Sequence, residues 1–170
     1  TFKTSTATLS ETDAGGILVE IPFTAPARGE GSLTVTLHAG MAVAGTNFTI
    51  DQELTNNSFS FNVVRNTTGV SFKVFPINND LYTGNFRLAF TISDISGVVL
   101  KGNISSYTLT IFDDEVPSLA RFALPSGSVE ETNGDGIVVD ILLSGPVKGE
   151  GTVIITMTGK NLFYGTHFTT

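Results

Sequence analysis

Slid against itself by 120 positions, the chain matches without a gap: residues 2–50 lie over residues 122–170. Phe2 meets Phe122, Glu11 meets Glu131, and the run GILVEI at 16–21 meets GIVVDI at 136–141. The turn RGEGS at 28–32 returns as KGEGT at 148–152, and GTNFT at 45–49 as GTHFT at 165–169. A period of this length is too long for a solenoid repeat and fits a whole domain, so the chain reads as domains in tandem. Of the second unit only its first 50 residues fall within the 170, so the reading expects an incomplete copy.

Within the first unit the apolar residues alternate. Ile17, Val19, Ile21 and Phe23 share one face of a segment at 16–24, and Leu33, Val35 and Leu37 one face of 31–38. PARGEG reverses the chain between them, its Pro and glycines supplying the turn. Residues 2–9 give a first, irregular strand. Further strands are marked by Phe59, Phe61 and Val63; by Val70, Phe72 and Val74; by Phe86, Leu88, Phe90 and Ile92; and by Tyr107, Leu109 and Ile111. No segment sustains a helical period. Seven alternating strands predict an all-β, seven-stranded antiparallel immunoglobulin-like sandwich over 1–115. A Pro-containing linker follows at 116–121, and the first three strands of a second copy at 122–170, near 122–129, 136–144 and 151–158.

Composition sets the outer limits. The chain is 41% hydrophobic, with 13 Phe and 18 Gly but no Trp, which suits strands and turns around a real core. Nine basic against 16 acidic residues leave a formal charge of −7, which disfavours nucleic acid as a partner. Cysteine is absent, so disulfides and thiolate metal sites are excluded. No apolar run approaches 18 residues, so no helical span and no membrane insertion is expected. The chain starts at Thr1 and has no signal-peptide pattern, as expected of a piece of a longer parent.

Four motifs occur in order along the first unit. Glu11 stands in "SET" before strand two. Gly45-Thr46-Asn47-Phe48 follows, then Ile77-Asn78-Asn79-Asp80, then Asp113-Asp114-Glu115 after "LTIF". In this order they resemble the Calx-β domains of sodium–calcium exchangers and integrin β4, most closely the tandem copies in bacterial surface proteins. The resemblance implies a calcium site at one end of the sandwich, drawn from the early glutamate, the motif aspartate, the acidic loop and the terminal aspartates. This sequence keeps Glu11, Asp80, Asp113 and Asp114, the candidate metal ligands. It has Asn47 where the family motif has an acid, His167 in the second copy, and Asn78 and Asn79 in the loop. Calcium prefers six to eight hard oxygens, so such a depleted set is expected to bind it weakly or not at all.

Plainer readings stand beside these. Asp113-Asp114-Glu115 is either a ligand cluster or a solvated strand end. His38 falls on the outward face with Thr34 and Thr36. The glycines of GEG and GDG are turn residues, since no helix follows to form a phosphate cradle. Sequons occur at Asn47, Asn56, Asn66 and Asn103, as chance allows in a chain rich in Asn and Thr. No nucleophile–base–orienter set stands out, so no enzyme is expected. The resemblance implies a secreted, extracellular or bacterial cell-surface module: a spacer or adhesion domain, a calcium-rigidified module, or a carbohydrate-binding accessory domain. Its partners would be other domains of the parent chain, or a protein or glycan. Tyr82 and Tyr164 are the loop aromatics a glycan would stack on.

Overall fold

A computed structural model describes residues 1–159 and Gly165; His167 and Tyr164 lie outside the described residues. The chain divides into two units, Thr1–Pro117 and Ser118–Thr170.

The first unit is a sandwich of eight strands: β1 (Thr6–Ser10), β2 (Ile17–Pro22), β3 (Gly31–His38), β4 (Phe48–Ile50), β5 (Ser58–Val63), β6 (Gly69–Pro76), β7 (Phe86–Gly97) and β8 (Ser106–Phe112). One sheet has the order β1-β8-β7-β3-β5 and the other β2-β6-β4. Pairing is antiparallel except that β1 runs parallel to β8, with Leu9 opposite Ile111. The short β4 is the one strand absent from the seven of the sequence reading. Its three residues overlap the end of the GTNFT motif at Phe48 and Thr49 and are too few to show alternation.

Alternation sends one face of each sheet inward, as the sequence pattern predicts. Val19, Ile21, Phe48, Phe72 and Val74 meet Leu33, Val35, Leu88, Phe90, Leu109 and Ile111, all buried. Aromatic rings run through this core in a row: Phe59 lies 4.9 Å from Phe72, Phe72 lies 5.0 Å from Phe90, and Phe2 stacks on Tyr107 at 5.7 Å. The outer face of the larger sheet is lined with Ser and Thr. There Ser32–Ser96 and Thr34–Ser60 hydroxyl pairs at 2.8 Å bridge neighbouring strands. His38 is exposed at the end of β3.

The crossing from β7 into the following loop depends on Gly97. Its φ is +68°, and a Cβ there would lie 2.3 Å from the Glu30 carbonyl oxygen and 2.7 Å from the Gly31 Cα, both backbone. Neither atom can move without displacing the β3–β7 ladder. Gly97→Ala is therefore expected to cost more than about 1 kcal/mol, read as a lowered midpoint in urea with an unchanged slope.

The second unit keeps the local geometry of the first over part of its length. Lys3 N–H donates to the Glu20 carbonyl at 3.0 Å, and Ala123 N–H to the Asp140 carbonyl at 2.8 Å. The Gly16 and Gly136 amides close the same turn onto Asp13 and Asn133, with φ of 66° and 70°. Residues 118–121, assigned to a linker by sequence, carry bonds inside this unit: the Ser118 hydroxyl donates to the Pro146 carbonyl at 2.9 Å and Leu119 N–H to Ser144 Oγ at 2.9 Å. Only two short strands form among its described residues, β9 (Ala120–Phe122) and β10 (Ile141–Leu143), paired antiparallel. Of the longer strands expected at 122–129, 136–144 and 151–158, the first overlaps β9 only at Phe122, the second forms only over Ile141–Leu143, and 151–159 has no strand. The reason is pairing. In the first unit β3 is held between β5 and β7, and β2 against β6. A β pattern without neighbours has no ladder to join.

Candidate metal centre

The end of the sandwich where β1 and β8 finish carries the acidic residues. Period-two alternation carries inward-facing Leu9 on to Glu11, whose N–H donates to the Phe112 carbonyl at 2.9 Å and so extends the parallel ladder by one residue. The strand logic thus drives a carboxylate into the sandwich end, and Glu11 is only 3% exposed. On β8 the chain runs on into Asp113, Asp114 and Glu115. Carboxylate oxygens of Glu11, Asp114 and Glu115 all lie within 4.8 Å of one another.

Asp113 does different work. Its Oδ2 accepts from Thr83 N–H at 2.6 Å, from Thr83 Oγ1 at 3.2 Å and from Gly84 N–H, while Oδ1 accepts from Glu115 N–H at 2.9 Å. With both oxygens committed to donors, Asp113 fastens the 83–85 loop to the chain end and sets the direction of Glu115. Asn79 reaches the cluster from the β6–β7 loop. Its Nδ2 donates to Glu11 Oε2 at 3.5 Å, and its Oδ1 accepts from Leu81 N–H at 2.9 Å.

Of the four candidate ligands, the geometry brings Glu11 and Asp114 together, turns Asp113 to the loop backbone, and leaves Asp80 exposed outside the cluster. Asn47 closes its own turn by accepting from Val43 N–H at 2.8 Å. Glu115 was named only as part of the 113–115 acidic run and not among the four candidate ligands. Its signal was parity: residues 107, 109 and 111 face inward, and 113 and 115 continue that set.

Electrostatics follow from burial. Burial pushes the Glu11 carboxyl up to about 7, aided by the adjoining Glu115 and Asp114 carboxyls and by the field of Asp113 and Glu115. Burial would also raise Asp113, but N–H groups of Thr83, Glu115 and Gly84 outweigh it and hold that carboxyl below the usual range. Glu11 Oε1 is fully buried and accepts no hydrogen bond. A buried carboxylate oxygen without a donor is costly unless a proton or a cation meets it. Each of the three carboxylates brings an oxygen to the cluster, the hard donor type a calcium ion takes, so the residues present fit that ion in kind while supplying fewer than its six to eight ligands from separate groups.

The arrangement is therefore an antiparallel β-sandwich of immunoglobulin type with a carboxylate cluster at one end. Among solved structures the chain is similar to the apo-form Calx CBD1 domain, with a TM-score of 0.55 and 18% identity over 67% of this chain and 95% of that one. It is also similar to the calcium binding domain CBD12 of CALX1.1, with a TM-score of 0.56 and 17% identity over 78% of this chain and 53% of that one. The Calx CBD2 domain matches with a TM-score of 0.51 at 10% identity. These likenesses show the fold. No family model matches the chain, and no curated protein matches it.

Proposed function

We propose that the first unit is a non-catalytic spacer or interaction module of a larger extracellular, bacterial surface protein, whose acidic end takes a calcium ion on Glu11, Asp114 and Glu115. The observation that carries the cation reading is the buried Glu11 Oε1, which accepts no hydrogen bond and stands against two further carboxylates. The names of the similar domains, one printed as calcium binding, point the same way. The ion would supply the positive charge that the cluster lacks and would tie the end of β1 to the chain leaving β8. That would stiffen the exit toward Pro117, a useful property in a spacer. With Asp113 committed to the loop and asparagines in the neighbouring loops, the affinity belongs at the weak end of calcium modules, about 10⁻⁴–10⁻³ M.

At pH 8 and 10 mM calcium, a site near 1 mM stabilises the unit by about 1.4 kcal/mol through mass action. Thermal melts in calcium and in EDTA are expected to differ by several degrees for the unaltered protein and not for Asp114→Asn. Identical melts in calcium and EDTA at that pH would remove the cation from the proposal. A spacer role is tested separately, by loss of surface reach or partner capture when the unit is deleted from its parent.

A further inference from the structure

We infer that the outer face of the five-stranded sheet is a glycan-binding surface: it takes a single neutral polysaccharide chain, one sugar ring stacked on Phe112 and the adjoining sugars hydrogen-bonded to the Ser and Thr hydroxyls beside it. This names the partner class for the interaction role proposed above and rests on that role, but not on calcium.

The two sheets turn different residues outward. On the smaller one Leu18 stands opposite Lys73, Lys73 lies over the Phe75 ring, and Glu20 pairs with Lys3, the mixed charges of an ordinary solvated face. The larger sheet repeats hydroxyls instead. Ser58, Thr36, Thr91 and Ser106 stand opposite one another in a row across β5, β3, β7 and β8. Among the described residues, the outward positions of these strands hold one carboxylate, Asp94, and one guanidinium, Arg87. The hydroxyls are also held in place. Thr36 Oγ1 donates to Ser93 Oγ at 2.8 Å and lies 3.0 Å from Ser58 Oγ, so one chain of bonds crosses three strands. Threonine is stiff at χ1, so a partner meets groups that are already ordered.

β8 then ends on an aromatic ring. Phe112 follows the outward Thr110 by two residues, stands opposite Ser10 of β1, and is 45% exposed. Thr110 stands between Thr8 and Arg87. An apolar plate rimmed by hydroxyls and a guanidinium suits a sugar, which has an apolar C–H face and an edge of hydroxyls that both donate and accept. Other partners fit worse. A protein interface concentrates aromatic residues and Met at its core and is poor in Ser, whereas this face has one ring. One guanidinium on an acidic chain does not hold nucleic acid. A flat crystalline surface would lose contact, because neighbouring strands rotate by about 20–25° and the sheet has five. A single flexible chain follows that twist.

The test is native electrophoresis of the full chain through gels containing mannan, dextran, xyloglucan or a soluble mixed-linkage β-glucan, with polygalacturonate as the anionic comparison and EDTA throughout. Retardation by at least one neutral polymer is expected. Phe112→Ala should weaken it by about tenfold or more, and Phe112→Trp should keep it. Thr110→Val, which deletes one hydroxyl, should weaken it by about threefold. Each variant should melt as the parent does. Retardation by none of the neutral polymers, by polygalacturonate alone, or unchanged in Phe112→Ala overturns the inference. Capture of a protein partner without glycan binding also overturns it, and leaves the interaction role standing.

Discussion

Phe72→Ala is expected to remove about 3–5 kcal/mol from the first unit, the range for deleting a buried Phe ring. The upper part of that range applies here. Phe72 is fully buried, lies on the central strand of the smaller sheet, and touches the rings of Phe59 and Phe90 on the opposite sheet. Each such ring pair adds about 0.5–1.5 kcal/mol beyond its buried area. The flanking strands are fixed by their ladders and cannot collapse into the space, so the cavity persists. Domains of this size hold only about 5–15 kcal/mol in total, and the loss should lower the melting temperature by at least about 10 °C. Phe112→Ala is the matched control. That ring is on the same kind of strand but faces out, and its removal should stay within about 0.5 kcal/mol. Calorimetry on both variants decides the matter: a shift of a degree or two for Phe72→Ala would mean that the row of rings is not the centre of the core.

Phe72 and its neighbours were legible in the sequence because alternation reports burial directly. Phe59, Phe72, Leu88, Phe90 and Leu109 all sat on predicted inward faces and are all buried. Alternation says nothing about which strand lies beside which, so the parallel pairing of β1 with β8 could not be read from it. That pairing matters most at the site, because it carries the end of β1 to the end of β8 and brings Glu11 beside Asp114 and Glu115. The motifs indicated the right end of the sandwich but not the working atoms. Asp113 looked like a ligand by residue type, yet loop amides claim its oxygens. Glu115 read as either part of a ligand cluster or a solvated strand end, and parity buries it. In the second unit residues 151–158 repeat the apolar positions of β3 at Val153, Ile155 and Met157, with Ile154 added where β3 has Thr34, and no strand forms. A strand pattern is a statement about one face and an edge, and it becomes a strand only when a neighbour supplies the ladder.

In EDTA, the stability of the first unit is expected to fall as pH rises from about 5 to 8, and Glu11→Gln is expected to abolish most of that fall. The sign follows from linkage. An acid held above its ordinary value binds its proton more tightly in the native state than in the unfolded one. Below the unfolded value of 4.5 both states are protonated and Glu11 costs nothing. Between 4.5 and about 7 the unfolded chain ionises while the native chain keeps its proton, so stability is lost as pH rises. At 1.36 kcal/mol per tenfold step this window is worth about 3 kcal/mol, reached above pH 7. Asp113 acts in the opposite sense. Its lowered value gives stability that is present above its ordinary 3.8 and lost as pH falls through that range. The two together place the optimum near pH 5 in the absence of divalent cations. Glutamine keeps the shape of Glu11 and an oxygen for Asn79, and its amide can donate to the Asp114 or Glu115 carboxylate, so the variant should match the parent near pH 4.5 and exceed it at pH 8. Calcium should narrow the gap at pH 8 by stabilising the parent alone, because only an ionised Glu11 gives the ion its buried oxygen. Urea unfolding of both proteins at pH 4.5, 6 and 8 in EDTA measures each of these differences. A parent whose stability is flat from pH 5 to 8 would show that Glu11 ionises at an ordinary pH and that the sandwich end is wet.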